Sequence, residues 1–495
     1  MTGKYILSID QSTSGTKAIL FDHKAQLVFR ANAEHKQYYP TPGWVEHDPE
    51  EIYDNTLKVI RKVVSGSGIS KENIHCLSIS NQRETVVLWD KITGKPVYNA
   101  IVWQCMRGEG LCKHLKSQGY EKLIRERTGL LLDPYFSASG LSWILGHNPE
   151  IKTRAEKNEL AAGTIDSWLV WKLTNGRSHV TDFSNACRTL LFNIYDLKWD
   201  KEICDLFNIP MQILPEVVPA DEIFGFTTVN NLLVHEIPIS GVMGDSHGAL
   251  FGQRCYLPGL SKITYGTGSS VMMNIGTDAK QAPKGLVTSI GYKLKDQLNY
   301  VFEGNIHSTG ATIKWLADSL QLISSFDESE DLANSVDSAG GVYFIPAFAG
   351  LGAPYWNNKV RANISGISGG TTKAHIVRAA LESIAFQVRD LLDLMSEKAG
   401  IPLKDIRVDG GPTNNHFLMQ FQSDMLNTPI SISDVEEASA LGSALAGGLG
   451  TGIWNSIKEI ELLYRTREKI QPKMERVKRD QLYKGWKNAV VQLIK

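Results

Sequence analysis

Two short segments of this chain carry the residue types that phosphate groups require. Asp10-Gln11-Ser12-Thr13-Ser14-Gly15-Thr16-Lys17 sets a carboxylate, small hydroxyls, a glycine and a lysine close together, and Gly266-Thr267-Gly268-Ser269-Ser270 repeats the glycine and hydroxyl pattern. Small residues let backbone N–H groups reach phosphate oxygens, and a cation completes the cradle. Thr13, Ser14, Lys17, Thr267 and Gly268 are the candidate contacts. Neither segment is the G-x-x-x-x-G-K-[ST] loop, and each alone also reads as a hairpin turn, with Lys17 solvated. A third cluster, Val408-Asp409-Gly410-Gly411-Pro412-Thr413-Asn414-Asn415, closes a β-prone run with a glycine pair that admits a ligand to the backbone.

Phosphoryl transfer also needs a carboxylate near the metal and a base near the accepting hydroxyl. Asp10 and Asp245 each follow an apolar β-prone run, residues 5–9 and 237–243. Strand ends in open α/β sheets are where ligands bind. Asp245 reads equally well as the N-cap of the next helix. His247, two positions on, ranks behind it as a base, since polar runs at helix starts more often serve as caps. Arg83 and Glu84 follow the β-prone run 74–79 and could tether hydroxyls, with Trp103 and Tyr135 as a wall. From residue type alone, that Arg–Glu neighbour pair reads as a surface ion pair.

The elements that must hold these residues are legible too. Residues 5–9, 18–21 and 27–29 form a β-meander. Asp48-Pro49-Glu50-Glu51 opens a helix, with Asp48 as N-cap, Pro49 at the first position and Glu51 closing a capping box. Strands at 74–79 and 86–89 follow, and alternating strands and helices indicate an α/β class. The strand–turn–strand pattern returns at 263–273, half a chain later, which suggests two related domains facing one cleft. A boundary falls at Gly252-Gln253, giving domains 1–252 and 253–495 joined by a short hinge. Residues 371–399 form the clearest helix, ended by Gly400 and Pro402; its apolar stripe is core. Residues 438–450, rich in Ala and Gly, suit close helix packing.

Composition narrows the function. The chain has 495 residues, too many for one core. Its 52 basic and 53 acidic side chains nearly cancel, so it lacks the electrostatic footprint of a nucleic-acid or anionic-membrane binder. No apolar run is long enough for a membrane helix, and the N-terminus does not read as a signal peptide. Its cysteines, at 76, 105, 112, 187, 204 and 255, show no metal-ligand spacing and fit a reducing, cytoplasmic setting.

The sequence resembles the FGGY family of carbohydrate kinases, in particular its glycerol-phosphorylating members. The resemblance rests on Pro42-Gly43-Trp44-Val45-Glu46-His47-Asp48-Pro49, residues 81–85, Tyr98-Asn99-Ala100-Ile101-Val102-Trp103-Gln104-Cys105 and Asp133-Pro134-Tyr135-Phe136. It continues through Asn185 with residues 188–193, residues 265–268, Leu351-Gly352-Ala353-Pro354-Tyr355-Trp356 and residues 417–424, nearly end to end. It implies an α/β fold of two actin-like (ribonuclease H-like) ATPase domains with an active-site cleft between them. It implies ATP and Mg2+ as cofactors and a small polyol as acceptor. Asp10 then matches the carboxylate that holds magnesium, with Asp245 beside the metal as general base. Arg83, Glu84, Trp103, Tyr135 and Asp245 match acceptor positions, and Gly310, Gly411 and Asn415 match nucleotide positions. A homodimer or homotetramer is the family's expectation.

Three departures stand out. Ser246 replaces a Gln and Ser270 replaces a Phe that packs on the acceptor's carbons, so the acceptor pocket is expected to be larger. Glycerol is the first expected acceptor, and a longer polyol or ketose is the alternative. Lys314 stands where some relatives carry Gln, which should leave ATP use intact. Residues 230–236 lack the patterns tied to fructose bisphosphate inhibition and to histidine phosphorylation. A non-enzymatic actin-like ATPase is disfavoured by the acceptor residues and Asp245.

Overall fold

The computed structural model describes residues 3–435 and 437–495. A six-stranded sheet runs in the order Ile223–Thr227, Ile237–Gly244, Ile74–Asn81, Tyr5–Gln11, Gly15–Phe21, Leu27–Glu34. Its pairings are antiparallel, parallel, parallel, antiparallel, antiparallel. A second sheet repeats that sequence from Thr466–Ile470 through Ile430–Ser433, Asp405–Asp409, Leu260–Tyr265 and Ser269–Gly276 to Leu298–Ile306. Val287–Lys293 adds one further antiparallel strand at its edge. The two hydroxyl-rich turns thus occupy equivalent places in two equivalent sheets. A small sheet of Glu46–His47, Ala100–Ile101, Val86–Asp90 and Leu160–Thr164 stands beside the first.

Residues 5–9 read as a mostly apolar run because helices cover both faces of the strand Tyr5–Gln11. Leu7 and Ile9 pack with Ile52, Val59, Ile60 and Val63 of the helix Pro49–Gly66. Ile6, on the opposite face, packs with Ala440, Leu441 and Ala444 of the helix Ala438–Gly450. Ser8 on that face donates to Ala440 O at 2.9 Å. The glycines of Ala438–Gly450 permit backbone-to-backbone packing: a Cβ on Gly442 would lie 1.8 Å from Gly248 O. A helix from the second half of the chain therefore rests directly on Asp245–Gly252.

Two helix starts differ from expectation. Asp48 caps Pro49–Gly66 by accepting from Glu50 N, but Glu51 closes no capping box. Its carboxylate accepts instead from Lys36 N at 3.1 Å, because the incoming chain passes there with an unpaired N–H. The long helix runs Lys373–Ala399 and does carry a capping box, with His375 in the place usually taken by Glu or Gln. Gly400, at φ 67°, ends it. All six cysteines are buried free thiols. Among the described residues no helix is long and apolar enough to cross a membrane.

Candidate active site

Register brings the chemistry together. Gln11 lies beside Asn81, and Asn81 beside Gly244, so the parallel strands of the first sheet end level. The hydroxyl-rich turn, the Gln82-Arg83-Glu84 turn and Asp245 therefore emerge at one edge. Gln82 stitches the first two, its N–H donating to Gln11 O at 2.6 Å and its amide to Gln11 Oε1 at 3.0 Å. In the second sheet Thr264 lies beside Asp409, which brings Gly266-Thr267-Gly268 next to Gly410-Gly411.

Arg83 and Glu84 are not a surface pair. Both are buried in a four-member ion network. Arg83 donates to Glu303 through both terminal nitrogens, at 3.1 and 2.9 Å, and its Nε lies 3.2 Å from Asp245 Oδ1. Arg188 donates to Glu84 at 2.6 Å, to Glu303 at 2.9 Å and to Ser289 at 3.1 Å. Burial pushes the Glu303 carboxyl up, but Arg188 and Arg83 outweigh it and hold the group well below the usual carboxylate range. Arg83, Glu84 and Arg188 come from the first half of the chain and Glu303 from the second, so the network joins the two. Glu84 holds a left-handed φ of 64°, a conformation that costs a non-glycine residue about 1–2 kcal/mol. Ser137 Oγ, donating to Glu84 O at 2.7 Å, helps to fix it.

A cleft of about 580 Å³ opens beside this network. Trp103 and Tyr135, with ring centroids 5.3 Å apart, form one wall, and Ser270, Glu303, Asn305, His307 and Trp356 contribute to the other. Trp103 Nε1 also donates to Thr13 Oγ1 at 3.0 Å, linking this wall to the first hydroxyl-rich turn. Asp245 is the first residue of its helix, with Gly244 as N-cap, so it is not itself the cap. Its carboxylate is 39 % exposed, in contrast to Glu84 and Glu303, and accepts from Ser246 N at 2.6 Å. His247 is fully buried, and neither ring nitrogen has a partner among the described residues. Burial, reinforced by Arg83, pushes its pKa well below the ordinary value, so it is a neutral group inside the fold. Ser270 accepts from the buried Lys262 ammonium at 3.2 Å.

Asp10 lies buried beneath the first turn. Burial raises its carboxyl to about 6, with Lys17 opposing and Glu437 and Asp245 adding to the rise. A carboxylate short of positive partners, with a second one near it, is a suitable donor set for magnesium, which binds through one or two carboxylates plus phosphate oxygens. Lys17, still 40 % exposed, pairs with the buried Glu437 carboxylate at 2.8 Å. Ser14 is exposed.

On the second sheet's side, Thr267 is exposed, and its carbonyl accepts from Thr309 N and Ala311 N at 3.0 Å. Gly268 and Gly310 sit where a Cβ would lie 2.4 and 2.6 Å from backbone oxygens. Gly410, at φ 98°, has no room for a Cβ against Tyr265 O, whereas nothing lies within 4 Å of the Cβ position of Gly411. Lys314 is a solvated side chain 3.9 Å from Asp318. Asn415 is buried and caps the helix His416–Leu426 by accepting from Leu418 N, while its amide donates to Ser329 Oγ at 3.2 Å.

Sequence reasoning does not single out Glu303, Lys262 or Glu437, and it treats Arg188 only as part of a motif. Glu303 carries a signal: one carboxylate inside the apolar strand Leu298–Ile306, a position charges occupy only when paired.

Compared with known proteins, residues 5–252 match the N-terminal domain and residues 261–451 the C-terminal domain of the FGGY family of carbohydrate kinases. A glycerol kinase of Thermotoga maritima is 52% identical over 99% of both chains. The crystal structure of Plasmodium falciparum glycerol kinase with ADP, 38% identical, superposes with a TM-score of 0.95 over 100% of this chain and 99% of that one. A gluconate kinase from Lactobacillus acidophilus shares the fold at 20% identity, with a TM-score of 0.89 over 99% of this chain and 98% of its own.

Proposed function

Because the chain belongs to the FGGY family of carbohydrate kinases, we propose that it transfers the γ-phosphoryl group of ATP to a primary hydroxyl of glycerol, giving glycerol 3-phosphate and ADP. The observation that carries this reading is Asp245: a partly exposed carboxylate with Arg83 Nε 3.2 Å from its Oδ1, at the level where the parallel strands end.

In this reading the acceptor lies against Trp103 and Tyr135, with Arg83 and Glu84 fixing its hydroxyls. Asp245 accepts the proton as the hydroxyl oxygen bonds to the γ-phosphorus and the bond to the β-phosphate oxygen breaks. The Thr13–Ser14 and Thr267–Gly268 turns face the phosphates, with Gly411 leaving room for the nucleotide and Gly310 letting its backbone pack against Gly266 of the second turn. Asp10 and Asp245 would hold the magnesium ion of Mg-ATP, which offsets charge on the phosphate oxygens. Positioning and preorganised charge supply the rate, since the protein makes no covalent bond to the phosphoryl group. Two domains, 1–252 and 253–495, hinged near Gly252 would close on the substrates and exclude water.

The test is glycerol-dependent ADP release with Mg-ATP, with the phosphorylated product identified by mass. Stoichiometric glycerol 3-phosphate supports the reading; ATP turnover indifferent to glycerol contradicts it.

A further inference from the structure

The cleft walled by Trp103 and Tyr135 extends along the strand Leu298–Ile306. Along Leu298–Ile306, Phe302 and Ile306 face the core of the second half, while Glu303 and Asn305 face the cleft. His307 continues that alternation one residue beyond the strand. At about 3.3 Å per residue the row from Glu303 to His307 is about 13 Å long. Only its Glu303 end is engaged, by Arg83 and Arg188. The Asn305 amide and the His307 imidazole line the cleft and have no hydrogen-bond partner among the described residues. Both groups can donate and accept, as a run of hydroxyls requires.

The space in front of them is open. Ser270 is the cross-strand partner of Asn305, and its hydroxyl is drawn to Lys262. Val287 supplies apolar surface beyond it. The Trp356 indole lies so tightly over Gly285 that a Cβ there would stand 1.9 Å from its Nε1. This second aromatic face, with Trp103 and Tyr135, suits the C–H edges of an extended carbohydrate chain.

We infer that the acceptor site also takes open-chain polyols of four or five carbons, whose additional hydroxyls are met by Asn305 and His307 in the space beside Ser270. This inference rests on the kinase reading above.

The experiment measures acceptor-dependent ADP release with glycerol, erythritol, xylitol, ribitol and arabitol, for the parent protein and for Asn305→Ala, His307→Ala and Ser270→Phe. The expected result is kcat/KM for at least one longer polyol within tenfold of glycerol or above it. Asn305→Ala and His307→Ala should each then lower the ratio of longer-polyol to glycerol kcat/KM by roughly fivefold, the size of one lost neutral hydrogen bond, and Ser270→Phe, which fills the space, should lower it at least as far. Turnover of glycerol with none of the longer polyols overturns this inference alone. So do variants that leave the ratio unchanged. Failure on every acceptor, glycerol included, overturns the kinase reading and this inference with it.

Discussion

Glu303→Gln removes one charge and almost no volume from the centre of the ion network. Glu303 accepts from Arg83 at 3.1 and 2.9 Å and from Arg188 at 2.9 Å, and the three side chains are 1, 6 and 2 % exposed respectively. At that burial solvent screening is small, and removing one partner of such a pair costs about 3–5 kcal/mol. A glutamine amide also turns a donor toward a guanidinium that has only donors to offer. Arg83 is the group that aims Asp245, so part of the loss falls on catalysis. If about 3 kcal/mol of it is felt in the transition state, kcat/KM for glycerol falls about 100-fold. The assay is coupled ADP release across glycerol concentrations, beside a thermal melt of the same preparation. The melt should shift down, because the network joins the two halves of the chain. A variant within threefold of the parent in kcat/KM, with the same melting midpoint, would show that the network neither positions Arg83 nor joins the halves.

Other outcomes follow from the same contacts. Gly442→Ala drives a Cβ into Gly248 O and must part the helix Ala438–Gly450 from Asp245–Gly252. The strain should cost about 1–3 kcal/mol in a denaturant melt and lower kcat, whereas Gly146→Ala, with nothing within 4 Å, should do neither. Asp10→Asn should raise the magnesium concentration for half-maximal rate about tenfold or more, read from a magnesium titration at fixed ATP. Acid should destabilise the fold early. Burial pushes His47 down to about 3 and His179 down to about 4, while in the unfolded chain each protonates near pH 6.5. The unfolded state then binds the extra protons, so their contribution is whole above pH 6.5 and is lost as pH falls toward 4 and 3. Each histidine takes up to about 1.4 kcal/mol per pH unit in that window. Melting midpoints flat from pH 7 to 5 would contradict this.

What the sequence reveals and what it hides divide along chain separation. The units at Tyr5–Gln11 with Gly15–Phe21 and at Leu260–Tyr265 with Ser269–Gly276 are local: apolar runs, a polar turn, another run. Asp10 and Asp245 are found the same way, each directly at or after a strand. The helix Lys373–Ala399 is legible from its stripe and its terminal glycine. The role of Arg83 is only half legible. Its place after a strand is local, but the carboxylates that bury and orient it lie 220 and 162 positions away, at Glu303 and Asp245. Lys17 is half legible in the same way: its turn is local, but its partner Glu437 lies 420 positions on. Asn415 is legible as a motif position, whereas its capping bond to Leu418 N depends on where the helix His416–Leu426 begins.

The central claim is that Asp245 accepts the acceptor's proton, and Asp245→Asn tests it most directly. The substitution keeps shape, and the exposed position spares the core. The decisive measurement is the single-turnover rate of glycerol phosphorylation at saturating Mg-ATP, beside a melt that verifies the fold. Loss of a general base predicts a fall of about 10²–10⁴-fold with the melting midpoint retained. A folded variant within tenfold of the parent rate would contradict the account, and the proton would have to leave by another route.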